Sequence, residues 1–569
     1  MKKLIYSLLI ALFCAGCSED FLDISDPNSL NKDIYFNSVD DIDNQLITLY
    51  SNLHSISFYG KRFNAFIVGN LDKTFDHSFI NDPNRNELFQ NNITSQNGLV
   101  NDLYRDLFKG IGIANDLLEN VELLRQKDIP EADREQLVLI EAQAKFLRGF
   151  FYFNIVNLWG RRPVDGGYDG SLGGVPLVTS PIKTRAGFNQ PVATNGEVYA
   201  QIISDFKDAE DVLPEVWPST DVARVTKWAA KGLLGKTYLF MEDYNNAKLH
   251  LKNVIDNSGK MLVDFDVYKD MFSGENEFND ESIFELAFVD NPNAGWGSWD
   301  NNSGQMHSMV AGYWVFEPGN PLKAGQTGWN NVYVHDANLT EFGFELADTP
   351  DSPQELQSSE YIQKMKDEIA TSDPRIRVNF LIPMIDTLNW ANGEKRIVAR
   401  YGVEQLGDYN WMPGERHAWS IRKYSTITNS VYAYRVQTGE NMYLMRLADV
   451  YLLYAEAALQ TGDEPGARFY INEVRARAYG NHDQDISSSG AQLLEDLKQE
   501  RFVELFGEGH RWFDIVRWGD GPDMMQKFES GRAGQINFTA PRSYFLPFPL
   551  REIETNQALK QHPEYGGEG

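Results

Sequence analysis

A mainly α-helical fold, built on tetratricopeptide-like helical hairpins with long irregular loop insertions, is predicted by three observations. First, two distant segments repeat one layout. Leu234-Gly235, Tyr238, Asp243-Tyr244 and Ala247 are matched by Tyr454-Ala455, Gly462-Asp463 and Ala467. In each, a small residue (Gly235, Ala455) precedes an alanine (Ala247, Ala467) by twelve positions, with an acidic turn between. Small residues let two antiparallel helices cross closely, and stacked hairpins of this kind share a core. Second, Leu444, Leu447, Ala448, Tyr451, Tyr454, Ala455 and Ala458 form one apolar stripe at helical spacing. Third, long stretches between helices lack any such period. Residues 58–98 are rich in Asn, Asp and Phe, 285–350 in Gly, Asn and Trp, and 374–440 mix Trp and Tyr with alternating runs such as Arg396 to Tyr401. Loops of that length inside a compact body usually carry function.

The remaining helices follow in order. Asp40 to Leu53 is periodic. Leu99 to Leu124 carries Tyr104, Leu107, Ile111 and Leu118 on one face. Glu131 to Leu158 ends at Trp159-Gly160. Asn195 to Leu213 is preceded by Thr194, three residues before Glu197, a capping-box spacing. Leu493 to Trp518 follows the second hairpin. The hairpins fall near 228–256 and 441–478, and the insertions near 58–98 and 285–440. No clean linker divides the chain, so residues 17–569 read as one body.

Residues 1–16 read as a removable leader. Lys2 and Lys3 open it, Leu4 to Phe13 is apolar apart from Ser7, and Ala15-Gly16 are the small residues before Cys17. A signal cut that leaves cysteine first is a bacterial lipobox, although Cys14 stands where leucine is usual. Cys17 is then the acylated residue. Two or three acyl chains hold a protein on a bilayer nearly permanently, at about 0.8 kcal/mol per buried methylene. The apolar run is short of the roughly 20 residues that span a bilayer.

The formal charge of −29 becomes near −31 once the two leader lysines are gone. That excludes a nucleic-acid partner, which needs a basic surface, and electrostatic docking on anionic lipid. Of the two cysteines, Cys14 leaves with the leader and Cys17 is acylated, so the body is expected to hold no disulfide, thiol nucleophile or cysteine metal site. There is no HExxH, GxSxG, Walker loop or placed GxGxxG. No cofactor is expected. Structural calcium is a candidate from the many loop Asp and Asn residues, without an EF-hand pattern.

Several segments carry a family resemblance. Asn441-Met442-Tyr443-Leu444-Met445-Arg446-Leu447-Ala448-Asp449-Val450-Tyr451-Leu452-Leu453-Tyr454-Ala455-Glu456-Ala457 and Ile471-Asn472-Glu473-Val474-Arg475-Ala476-Arg477-Ala478 resemble signatures of the SusD/RagB family. So does Glu500-Arg501 through Glu504-Leu505 to Gly507-Glu508-Gly509-His510-Arg511-Trp512-Phe513-Asp514-Ile515-Val516-Arg517-Trp518. The closing Leu546-Pro547-Phe548-Pro549, Glu552-Ile553, Asn556 and Gln561-His562-Pro563-Glu564-Tyr565, the Arg148-centred helix, and Asp20-Phe21-Leu22-Asp23 after the lipid site fit as well. The resemblance implies an outer-membrane lipoprotein, anchored through Cys17 and facing the cell exterior. Such a protein captures a nutrient, usually a glycan, and loads it into a SusC-like TonB-dependent transporter. Ser18-Glu19-Asp20 resembles the signal for surface export in the gram-negative phylum to which such lipoproteins belong. It also implies that Gly507 to Trp518, catalytic in appearance, supports the fold, with Arg511, Asp514 and Arg517 pairing locally.

Sugars offer apolar faces to aromatic rings and a rim of hydroxyls to Asn, Asp and Arg. The densest stretch with that chemistry is 293–335, where Trp296, Trp299, Asn301, Trp329 and Tyr333 are the expected ligand contacts. A second is 58–82, with Arg62, Asp72 and Phe75, and a third is 405–424, with Trp411, Arg416 and Trp419. A non-enzymatic glycan-binding protein is the expected function. The rivals are a peptide-capturing relative, a hydrolase with two loop carboxylates about 5 Å or about 6.5–9.5 Å apart, and a pure scaffold.

Overall fold

A computed structural model of the chain describes residues 36–77, 82–289, 314–317, 320–326, 332–345, 355, 358–389, 395–399, 419–425, 438–528 and 536–567. The long scaffold helices, numbered in chain order, are α1 Val39–Ser51, α2 Gly98–Arg125, α3 Glu131–Trp159, α4 Asn195–Val212, α5 Lys227–Phe240, α6 Tyr244–Asn257, α7 Leu447–Gln460, α8 Glu464–Tyr479, α9 Gly490–Leu505 and α10 Arg511–Trp518. Consecutive helices pack on one another from α1 to α6, and α6 then packs on α7 across the insertion. The mainly helical, tetratricopeptide-like architecture is therefore the observed one.

Helix α3 is the centre. Its second half is buried on every side, from Phe150 through Trp159, as expected of a helix apolar all round. The Arg148 guanidinium donates to both carboxylate oxygens of Asp205 on α4 (2.9 and 2.7 Å) and to Asn115 Oδ1 on α2 (2.9 Å). One buried side chain thus fastens three helices. The closing segment seals the other side, with Trp159 Nε1 donating to the Pro547 carbonyl at 3.0 Å. At α4 the capping box forms, Thr194 and Glu197 each accepting from the other's backbone N–H.

The two hairpins, α5–α6 and α7–α8, stand side by side, with Lys248 of α6 paired to Asp463 of the second turn at 2.7 Å. Gly235 explains the close crossing in the first. A Cβ there would lie 2.7 Å from Leu251 Cγ and 2.9 Å from its Cδ2, and Leu251 is fully buried. Gly235→Val is expected to cost about 1–3 kcal/mol through overpacking. A thermal melt checks it, and an unchanged midpoint would mean that α5 and α6 do not cross there.

Three expectations need correction. Leu444 belongs to a strand, Met442–Arg446, and the helix begins only at Leu447. This strand pairs antiparallel with Ser282–Leu286 (Met442 opposite Leu286, Arg446 opposite Ser282), and Phe288 N donates to Asn441 Oδ1 at 2.8 Å just beyond. The insertion therefore leaves and re-enters the scaffold through one ladder. The helix expected from Leu493 to Trp518 is two helices. Gly507 and Gly509 hold φ of 75° and 84°, a left-handed backbone that an α-helix cannot continue through. Finally, the described residues between 58 and 98 are not irregular. They form a π-helix (Phe63–Val68), short helices at Gly69–Leu71 and Pro83–Phe89 and a strand at Phe75–His77. Phe58, Phe63, Phe66, Phe75 and Phe89 are buried there, so these phenylalanines are core.

Within the insertion, Asn320–Gln326, Trp314–Glu317, Lys395–Ala399 and Thr387–Asn389 form a four-stranded antiparallel sheet in that order. The alternation that begins at Arg396 is one of its strands. Phe342, Phe380 and Phe506 pack edge to face, with centroids 4.9–5.7 Å apart, and join the inner part of the insertion to the end of α9.

Candidate functional site

The three stretches expected to hold the ligand are drawn together at one ladder. Phe75–His77 pairs antiparallel with Val332–Val334, with Phe75 opposite Val334, Asp76 opposite Tyr333 and His77 opposite Val332. Val334 N donates to the Trp419 carbonyl at 2.8 Å, which adds the third. Trp329 lies three positions before Val332 in the chain. Trp296, Trp299, Asn301 and Trp329 themselves, with Trp411 and Arg416, lie outside the described residues.

The predicted contacts inside the described residues fall into two groups. Arg62 is half-exposed and pairs with Asp102 at 2.8 Å. Such a pair contributes little to stability and is easily exchanged. The others are corrections, because they are buried. Phe75 and Tyr333 are 1% and 0% exposed, so they close the core beneath the ladder. Trp419 packs on Phe344 and Phe380 in the same way. Asp72 accepts from Thr74 N at 2.8 Å and holds the turn in which Lys73 takes φ of 62°. Burial pushes the Asp72 carboxyl up, against the pull of Arg511 and Lys73. Sequence alone cannot separate a loop aromatic from a short-strand aromatic when the strand has three residues.

The signature between Glu500 and Trp518 is a buried charge network. Arg446 donates to Glu281 (2.7 Å), Glu504 (2.6 Å) and both oxygens of Glu508 (2.8 Å each), and all four side chains are 0% exposed. Arg477 adds bonds to Glu281 and Glu504, Arg375 to Asp373, Glu500 and Glu504, Arg475 to Glu500, and Lys423 to Glu508. Five cations thus meet five carboxylates. A second group balances three against three. Lys236 and Arg501 bind Asp449, Arg501 and Arg517 bind Asp514, and Arg517 binds Glu456. It fastens α5, α7, α9 and α10. Buried charges persist only when paired in this way. Burial raises the Asp514 carboxyl less than Arg501 and Arg517 lower it, so it is held below the usual range. Burial pushes His510 down to about 4, so the imidazole is neutral, and Lys236 sits 3.2 Å from its Nδ1. Both Asp514 oxygens accept from arginine, Oδ2 from Arg501 and Oδ1 from Arg501 and Arg517.

The sequence signal for this network was visible in one place. Arg446 sits inside the apolar run Met442 to Ala448, where an arginine must find carboxylates. Its partners, spread from Glu281 to Glu508, were not legible. Among the described residues no group of three or more His, Cys, Asp or Glu is arranged to hold a metal ion. None of the described helices is long and apolar enough to cross a membrane.

Comparison with known proteins gives the class. A family model described as the SusD family matches residues 280–565, and a second, described as starch-binding associating with outer membrane, matches residues 20–239. The chain belongs to the SusD family. It is 27% identical to the SusD-like protein P25 of Formosa agariphila, with 98% of each chain covered, and 24% identical to a SusD-like protein of Bacteroides ovatus, with 99% of this chain and 98% of that one covered. Among solved structures it is similar to a laminarin binding SusD-like protein (24% identity, TM-score 0.67, 92% of this chain and 99% of that one). It is also similar to a SusD-like carbohydrate binding protein of Bacteroides fragilis (18% identity, TM-score 0.69, 92% and 100%).

Proposed function

We propose that the protein is a non-enzymatic glycan-binding lipoprotein of the outer-membrane surface. It is held by lipid on Cys17 after removal of residues 1–16, and it passes captured oligosaccharide or polysaccharide to a SusC-like TonB-dependent transporter. The observation that carries the reading is the ladder of Phe75–His77 on Val332–Val334, with Trp419 alongside. It makes the aromatic, Asn-rich stretches neighbours at their roots. Family membership and the laminarin-binding neighbour support the choice of glycan as ligand. The pairing of the catalytic-looking carboxylates with buried arginines supports binding without chemistry.

A glycan array tests it. The purified body is expected to bind at least one polysaccharide and release no reducing ends from it. Trp296→Ala, Trp299→Ala and Trp329→Ala are then measured singly. At least one should weaken binding about tenfold, since flat stacking on an aromatic ring is worth roughly 1–3 kcal/mol and 1.4 kcal/mol is tenfold. The melting midpoint should not move, whereas loss of a core tryptophan costs roughly 3–5 kcal/mol of stability. Full affinity in all three variants would move the site to the Arg62 side of the ladder.

A further inference from the structure

Arg511 is the arginine of the C-terminal signature that neither network uses. Sequence predicted local pairing, yet among the described residues its guanidinium makes no hydrogen bond or ion pair. It lies 3.9 Å over the Phe502 ring, and its Nε is buried without a partner. It lines a cavity of about 450 Å³ between α9, α10 and the segment that follows, together with Gln499, Trp518, Asp520 and Asp523. His510, 8% exposed, lines the same cavity. Its Nδ1 faces the Lys236 ammonium, so Nε2 carries the hydrogen, and that hydrogen has no acceptor among the described residues.

What Arg511 lacks is acceptors rather than countercharge. The carboxylates of Asp72, Glu341, Asp514 and Asp520 all act on it electrostatically, but each is engaged elsewhere. Asp72 holds Thr74, Glu341 holds Lys527, Asp514 holds Arg501 and Arg517, and Asp520 holds Lys498. An anion entering the cavity would meet those carboxylates in a chain of net charge −29. A neutral polyol is not repelled by them, and its oxygens supply the missing acceptors. The cavity volume lies within the range of roughly 300–1,000 Å³ typical of small-molecule sites.

We propose that this cavity is a second saccharide site, apart from the loops, that takes one neutral sugar unit whose adjacent hydroxyl oxygens accept from the forked guanidinium of Arg511. The lining carboxylates accept from the sugar's hydroxyls, and Trp518 supplies an apolar wall. The proposal rests on the glycan-binding reading for its choice of polyol.

The test uses the whole mature chain and free D-glucose, D-galactose, D-mannose and L-fucose, each titrated by calorimetry to about 50 mM, well past millimolar affinity. At least one sugar should bind. Arg511→Lys, which keeps the charge and loses the fork, should weaken that binding about tenfold, since charge-assisted bidentate bonds are the strong ones. Removing Trp296, Trp299 and Trp329 should leave it unchanged. A crystal of the wild-type protein soaked with the same sugar should show it against Arg511, whatever the stability of the variant. Binding of no sugar in the panel, equal binding by Arg511→Lys, or density holding only water in the cavity overturns the proposal. Polysaccharide binding on the array, scored separately, shows whether the glycan reading itself has failed.

Discussion

Glu504→Ala is expected to lower stability by about 3–5 kcal/mol or more, the cost of leaving buried charge unpaired. Glu504 is fully buried and receives Arg446, Arg477 and Arg375. Without it three guanidinium groups share the remaining carboxylates in a region that water does not reach. A typical domain has only about 5–15 kcal/mol to lose, so much of the variant should fail to fold at 37 °C. Asp256→Ala, which removes a half-exposed partner of Lys252, should stay within about 0.5 kcal/mol. The acid dependence carries a definite sign. Burial alone would raise the Glu504 carboxyl, but Arg477, Arg446 and Arg375 outweigh it and hold the group well below the usual range. A carboxylate depressed in the folded state contributes fully above its unfolded value of 4.5 and progressively less as pH falls below that. The gap between wild type and Glu504→Ala should therefore narrow in acid, as read by melting at a series of pH values. A variant with wild-type melting and lost glycan binding would mean that the signature is a site and not a strut.

Arg148→Met should cost a comparable amount, about 3–5 kcal/mol. Methionine fills part of the volume but leaves Asp205, which is 1% exposed, without its two-pronged partner. Burial already raises the Asp205 carboxyl despite Arg148, so in the variant that carboxyl should take up a proton. Restoring neutrality with the double change Arg148→Met, Asp205→Leu should recover much of the loss, because a buried ion pair is often replaceable by apolar groups of similar size. Recovery is measured as the double-variant melting midpoint. A double variant no better than the single one would show that Asn115, also held by Arg148, is the partner that matters.

The two networks explain which parts of the fold were legible. Helices with a strong apolar period were readable nearly to the residue, because burial of one face sets both the pattern and the element. The break after Leu505 was missed, because the apolar period runs on through Gly507 and Gly509, and only their positive φ shows that the helix stops there. Strands of three to five residues such as Phe75–His77 and Met442–Arg446 carry too few alternations to be told from a loop or from the start of a helix. That is why Leu444, Phe75 and Tyr333 were misplaced. Charged residues in a row read as a solvated face. Only the fold reveals that Glu281, Arg375, Arg446 and Glu504, drawn from four distant segments, meet in one dry place. For the candidate site, sequence singled out three stretches by their chemistry, and the described residues of all three meet at the ladder. Which of their aromatic residues face a ligand depends on side-chain direction, which composition does not encode.

The single ladder through which the insertion departs and returns has an evolutionary consequence. With Leu286 beside Met442 and Phe288 tied to Asn441, the scaffold sees some 150 residues of sequence as though they were the tip of one β-hairpin. Lengthening, shortening or exchanging the outer part of that tip changes neither the spacing of the strands at its base nor the stacking of α5 through α8. The inner part, Arg375 and Lys423 in the charge network, Phe342 and Phe380 against Phe506, and the Val332–Val334 strand on Phe75–His77, is answerable to the core. Mutation can thus rewrite the outer part of the insertion while folding is checked at its base and at its inner part.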